Sequence, residues 1–95
     1  MAVVWSTEGA DDFLAAVTYL HDRNAAAARK LAERVDEALK RLDEVPLDGP
    51  ETLLRGGLVV RSWPIPPFRA YYVRRDNDVL VLRFYDQRRE PIARP

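Results

Sequence analysis

The chain has no cysteine, one histidine and one methionine in its 95 residues. Without cysteine there is no disulfide, no thiolate nucleophile and no thiolate metal ligand. The single His21 has no neighbouring His or Cys with which to complete a metal site. It stands near the end of a predicted helix, where it suits the negative end of the helix dipole. Seryl or cysteinyl catalysis of the usual kind therefore has no base in a useful place. Neither G-x-x-x-x-G-K-[ST] nor G-x-G-x-x-G occurs, so Gly56-Gly57 is not a phosphate loop. No apolar run approaches the roughly 20 residues that cross a bilayer. The opening Met1-Ala2-Val3-Val4-Trp5 lacks the basic-then-apolar order of a secretory leader. The expectation is a cytoplasmic protein that uses no metal, no cofactor and no membrane.

What is present is a globular composition, 47% hydrophobic and 32% charged, over a length that holds one domain spanning residues 1–95. The formal charge is zero, but it is unevenly distributed. Residues 1–53 carry six basic and eleven acidic residues, a balance of −5, and residues 54–95 carry nine and four, a balance of +5. Every basic residue of the second part is arginine. Arg61, Arg69, Arg83, Arg88 and Arg89 lie among Trp63, Phe68, Tyr71, Tyr72, Phe84 and Tyr85. Guanidinium groups beside aromatic rings can hold a polyanion or an acidic partner.

Hydrophobic periodicity divides the chain into a short strand at 3–5, helices at 7–22 and 24–44, and strands at 58–63, 68–74 and 79–86. Ser6 or Thr7 is the expected cap of the first helix and Asn24 that of the second. Pro46 disfavours helical geometry at Val45 and closes the second helix. The segment from Val45 to Gly57 has the composition of a loop. The pattern predicts an α+β fold of order β-α-α-β-β-β, with both helices on one face of a small, largely antiparallel sheet. The predicted core includes Phe13, Leu14, Val17, Leu31, Val35, Leu39, Leu42, Leu80, Leu82 and Phe84. Period-two alternation puts Arg69, Tyr71 and Val73 on one face of their strand, and Arg83 and Tyr85 with Val79 and Val81 on one face of theirs. The Asp36–Lys40 and Glu37–Arg41 spacings read as solvated surface, each pair worth a few tenths of a kcal/mol at best.

RNA cleavage by the 2′-hydroxyl can proceed without histidine, with arginines stabilising the phosphorane and a tyrosine or acid moving protons. Arg69, Arg88, Tyr71, Tyr85 and Asp86 could supply those parts. The same arginines and tyrosines are equally suited to anchoring a protein interface.

Nearly the whole chain resembles the RelE/ParE superfamily of bacterial type II toxins, which includes plasmid stabilisation proteins. The resemblance lies in Val4-Trp5-Ser6 with Ala10 and Phe13-Leu14; in Asn24 and Ala28; in Leu42 followed by Pro46 and Gly49; in Leu54-Arg55-Gly56 and Val60-Arg61; in Pro67-Phe68-Arg69-Ala70-Tyr71-Tyr72; and in Val81-Leu82-Arg83 leading to Tyr85-Asp86-Gln87-Arg88-Arg89-Glu90-Pro91. It implies a growth-arresting toxin held inactive by a cognate antitoxin, with operator DNA reached only through that antitoxin. Two outcomes exist in the superfamily. RelE-like members cleave mRNA on the ribosome, and ParE-like members poison DNA gyrase. Arg69 and Arg88 stand where the nucleases carry arginines, and Tyr85 where many relatives have histidine; these three would be catalytic in a nuclease. The carboxy-terminal tyrosine or histidine of the nucleases is replaced by Arg94, and their lysines before the second strand by Arg55 alone. A neutral chain is also a poor ribosome binder, because phosphate contacts dominate RNA affinity. The reading inclines to gyrase inhibition with Arg61, Arg83, Arg88 and Arg89 as target-binding residues. The alternatives are the mRNA endonuclease and a non-toxic interaction module of the same fold. The antitoxin is expected to bring apolar anchors and acidic groups to the Ala25-Ala26-Ala27 surface and to the basic residues.

Overall fold

The computed structural model describes residues 2–45, 48–54 and 56–87. Its elements are β1 (Val3–Trp5), α1 (Thr7–Arg23), α2 (Ala25–Glu44), β2 (Glu51–Leu53), β3 (Val59–Ile65), β4 (Phe68–Arg75) and β5 (Asp78–Asp86). The strands form one five-stranded sheet in the order β1-β5-β4-β3-β2. β1 runs parallel to β5, and the other neighbours are antiparallel. Chain neighbours β1 and β2 thus lie at opposite edges, and the two helices carry the backbone from one edge to the other across a single face. The α+β reading holds. Among the described residues no helix is long and apolar enough to cross a membrane.

Local chemistry sets the helix ends. Ser6 caps α1, its Oγ accepting the Gly9 N–H at 2.9 Å and donating to the Leu82 carbonyl at 2.9 Å, so the cap also fastens the helix start to β5. Gly9 is required there, because a Cβ would stand 2.7 Å from the Val81 carbonyl oxygen. Asn24 serves both helices. Its N–H ends α1 on the Leu20 carbonyl, and its side chain accepts the Ala27 N–H at 3.1 Å to begin α2. One extended residue therefore makes the turn between two antiparallel helices.

α2 buries Ala28, Leu31, Val35, Leu39 and Leu42, a stripe at helical spacing, against the sheet. Under it lie Ile65, Ala70, Tyr72, Val79, Val81 and Phe84. Four aromatic rings close the α1 end: Phe84 stacks on Phe68 at 4.9 Å and meets Phe13 edge-on at 5.5 Å, while Trp5 reaches Phe13 at 5.1 Å. A smaller cluster of Leu54, Val60 and Tyr71 occupies the other face of the sheet, with Val73, Leu82 and Tyr85 against it.

Five expectations are corrected. Leu14 is 63% exposed, because its position on α1 falls just outside the stripe that Phe13, Ala16, Val17 and Leu20 turn to the core. Leu80 and Leu82 are half-buried and belong outside the main core, which takes Val79 and Val81 instead. The segment read as loop contains β2, whose three residues pair with β3. Finally, Arg83 and Tyr85 do not share a face with Val79 and Val81. The register of β4 against β5 shifts so that Tyr71 faces Arg83 while Tyr72 faces Val81, leaving Leu82 as the extra residue of a β-bulge. Beyond the bulge Phe84, rather than Arg83, points into the core. β3 also continues past its expected end through Pro64 to Ile65.

Leu39 is 3% exposed, and Leu39→Ala is expected to cost about 2–5 kcal/mol in urea unfolding, the range for truncating a buried leucine. Leu14→Ala should fall within about 0.5 kcal/mol of wild type, as for surface substitutions.

Candidate functional site

The arginine-bearing strands are held in place by groups of the same chain. On β5, the Arg83 guanidinium donates from Nε and Nη2 to the two oxygens of Asp12 at 2.7 and 3.1 Å. The Phe84 N–H adds a third bond to that carboxylate at 3.0 Å. The pairing with Asp12, outweighing desolvation, raises the Arg83 pKa further. Asp12 was not legible as a site residue, since an acid in the first turns of a helix reads as a partner of the helix dipole.

On β3, Arg61 donates to the Gly49 carbonyl at 2.9 Å and lies 3.6 Å from Glu51. It pairs with Tyr72 and shares its face of the sheet. On β4, Arg69 donates to the Ser62 hydroxyl at 2.8 Å and stands directly across from Tyr85. Tyr85 lies 5.6 Å from the Tyr71 ring, and the Arg83 guanidinium is 4.7 Å from the Tyr85 ring centroid. Arg69, Tyr71, Arg83 and Tyr85 therefore gather on the face away from the helices. Arg61, two strands from Arg83 and on the other face, does not join them. Arg88 and Arg89 lie outside the described residues, so their relation to this group has no structural description.

A third arginine staple joins β4 to the end of α2. Arg74 donates from Nε to Asp48 at 2.6 Å and from Nη2 to the Leu42 carbonyl at 2.8 Å. The fully buried Tyr72 accepts the Gly49 N–H at 2.9 Å and donates its hydroxyl to Asp48 at 3.2 Å. Burial opposes ionisation of Asp48, but the hydrogen bond and charge of Arg74 outweigh it, and its pKa lies below the ordinary Asp value. Burial moves the Tyr72 phenol the other way, upward.

The helix face offers a different kind of surface. A cleft of about 480 Å³ separates β1 from α2, floored by Val3, Trp5, Phe13, Val35 and Leu39 and rimmed by Asp36, Lys40 and Asp43. Asp43 Oδ1 is buried there and takes no hydrogen bond from any described residue. Ala2 and Ser6 direct their peptide groups to β5, so the alternating strand turns those of Val3 and Trp5 outward along the free edge of the sheet. Across α2, a groove of about 300 Å³ runs between the helix and the β3–β4 hairpin, lined by Arg34, Arg41, Trp63 and Ile65. Neither groove was legible in the sequence, because each arises where a helix and a strand distant in the chain fail to fill the space between them. Among the described residues no group of three His, Cys, Asp or Glu is placed to hold a metal ion.

Residues 3–91 match the family described as ParE toxin of type II toxin-antitoxin system, parDE. A solved structure described as a chromosomal ParDE TA system from P. aeruginosa is similar with a TM-score of 0.72 at 22% identity, covering 90% of this chain and 95% of that one. That likeness speaks to the fold. No curated protein matches.

Asp12→Asn leaves Arg83 without its carboxylate and is expected to destabilise by about 1–3 kcal/mol in chemical denaturation. The Asp48 contribution depends on pH. Because its folded pKa is depressed, that stability is present above the unfolded value near 4 and is lost as pH falls through the lower folded value. Thermal melts of Asp48→Asn should lie below wild type at neutral pH and converge on it in acid, whereas a constant offset down to strongly acidic pH would contradict the assignment.

Proposed function

The chain belongs to the ParE toxin family of type II toxin-antitoxin systems, and from that premise we propose that it arrests growth by inhibiting DNA gyrase and cleaves no mRNA. A cognate antitoxin holds it inactive. The observation that carries the gyrase reading is the chemistry around Arg69. Among the described residues, its face carries the Ser62 hydroxyl, the phenols of Tyr71 and Tyr85, and a second guanidinium that is bonded to Asp12. Arginine stays protonated and serves as no base, and a phenolic hydroxyl is a weak base at neutral pH. Such a face can hold an acidic surface of a protein more readily than it can move the two protons of RNA cleavage.

The β1–α2 cleft suits the antitoxin. Its apolar floor, its free strand edge and the unpartnered Asp43 oxygen together accept an extended segment that brings apolar side chains and a basic donor.

The mRNA endonuclease is the competing reading, favoured by Arg69 and Tyr85 facing each other across two strands. Induced expression followed by assays of both targets separates them. The expected result is growth arrest with gyrase-dependent DNA breaks, inhibited supercoiling by purified gyrase, and intact mRNA on translating ribosomes. Cleaved mRNA with unaffected supercoiling overturns the proposal, and in that case Arg69→Ala should abolish cleavage by removing about 3–4 kcal/mol of transition-state stabilisation. Absence of any growth arrest would instead assign the chain to a non-toxic interaction module.

A further inference from the structure

Resting on the toxin reading above, we propose that the groove between α2 and the β3–β4 hairpin is a second docking site for the antitoxin and takes an acidic segment of it. Arg34 and Arg41, two helical turns apart, border this groove with Glu37 between them, whereas Asp36, Lys40 and Asp43 border the cleft on the opposite side. The groove side thus carries a net positive charge and the cleft side a mixed rim with a net negative one. An acidic segment meets two guanidinium groups in this groove but only one ammonium, set among two carboxylates, at the cleft.

Arg34 and Arg41 differ from three of the arginines of the sheet. Arg61, Arg74 and Arg83 each meet a carboxylate of the same chain. Among the described residues the guanidinium groups of Arg34 and Arg41 meet none, although Glu37 is four residues from Arg41. Two exposed guanidinium groups separated by two helical turns can each take a carboxylate in a bidentate pair. Between them the floor is apolar. Ile65 is buried, Ala38 and Trp63 are half-buried, and an indole held part-way out of the core is a ready anchor for an apolar or aromatic side chain.

The hairpin side of the groove carries Pro64 and Pro66, which have no peptide N–H. An occupant is therefore held by its side chains rather than by extending the sheet, unlike a segment lying along the free edge of β1. The apolar floor of Ile65, Ala38 and Trp63 favours a peptide, which brings apolar side chains along with its carboxylates, over a nucleic acid held chiefly through its phosphates.

The test uses the toxin and its purified cognate antitoxin, with affinity measured at low and high salt. Arg34→Ala/Arg41→Ala is expected to weaken binding roughly tenfold or more at low salt and to flatten the salt dependence, because the lost contacts are between charges. Arg34→Glu/Arg41→Glu should weaken it further, and Arg34→Lys/Arg41→Lys should restore part of the loss. Unchanged melting temperatures would show that the fold is kept, as expected for exposed side chains without an ion pair. In cells, the charge-reversed toxin should still arrest growth but escape neutralisation. Affinity and salt dependence that ignore these substitutions overturn the proposal. So does a DNA or RNA oligonucleotide that loses binding to the variants while the antitoxin keeps it. A wild-type toxin that arrests growth with an antitoxin indifferent to Arg34 and Arg41 overturns this proposal alone; one that neither arrests growth nor binds the antitoxin overturns the toxin reading with it.

Discussion

The carboxylate of Asp12 receives three hydrogen bonds, two from Arg83 and one from the Phe84 N–H, at the point where β5 bulges. Much else follows from that junction. The bulge lets Val81 and Phe84 both face the helices, although simple alternation would turn Phe84 outward. Phe84 then becomes the ring on which Phe13 and Phe68 pack. A bulge disturbs the backbone ladder locally, and here the helix supplies the missing partners: Asp12 for the Phe84 N–H and Ser6 for the Leu82 carbonyl. Close approach of α1 is possible because Gly9 has no side chain to meet the Val81 carbonyl. Cap, glycine and acid recur at residues 6, 9 and 12, one turn apart, on the face of α1 that meets the bulge.

The same junction explains the charge asymmetry of the sequence. Asp12–Arg83, Asp48–Arg74 and Glu51–Arg61 each join an acid from residues 1–53 to an arginine from residues 54–95. Opposite balances of −5 and +5 are thus partly an internal complementarity between residues 1–53 and residues 54–95. Two of these arginines also bond backbone carbonyls, Arg61 that of Gly49 and Arg74 that of Leu42. Five donors in a rigid fork suit arginine to this double task, which lysine could not perform. Part of the basicity that reads in the sequence as an offer to a polyanion is therefore spent inside the fold.

How much of this was legible follows from the range of each signal. Helix limits and caps depend on neighbours in sequence, and Ser6, Asn24 and the α2 stripe were all readable from spacing. Leu14 was misassigned because a stripe defined by Phe13, Val17 and Leu20 leaves its flanking position undecided until the sheet's width is known. The bulge had no local signature: neither Leu82 nor Arg83 is a glycine, and the register shift exists only as a relation between β4 and β5. β2 was hidden for a related reason. Three residues make too short a period to detect, and the strand forms because β3 offers an edge and because Gly49, where a Cβ would land on the Ser62 carbonyl, lets the chain lie close against it. The predicted site was scattered likewise: Arg69 and Tyr85 meet, while Arg61 turns to the other face.

Charge that is left over after folding is what a partner can use, and that changes where recognition should be sought. A guanidinium already paired with a carboxylate gains little from a second one, since the first interaction must be weakened to make the next. Arg69, held by a neutral hydroxyl, retains its full charge on the sheet face. Arg34 and Arg41 retain theirs on α2, within the half of the chain whose net charge is negative. Net charge summed along a sequence segment therefore locates the electrostatic surface poorly in a protein whose two halves neutralise one another. The better guide is the residual: the two guanidinium groups of the helical face beside Trp63, and the mixed rim of Asp36, Lys40 and Asp43 beside the cleft at β1. A single chain that wraps α2 must satisfy both, so its recognition is set by the order of its charges along the sequence as much as by their sum.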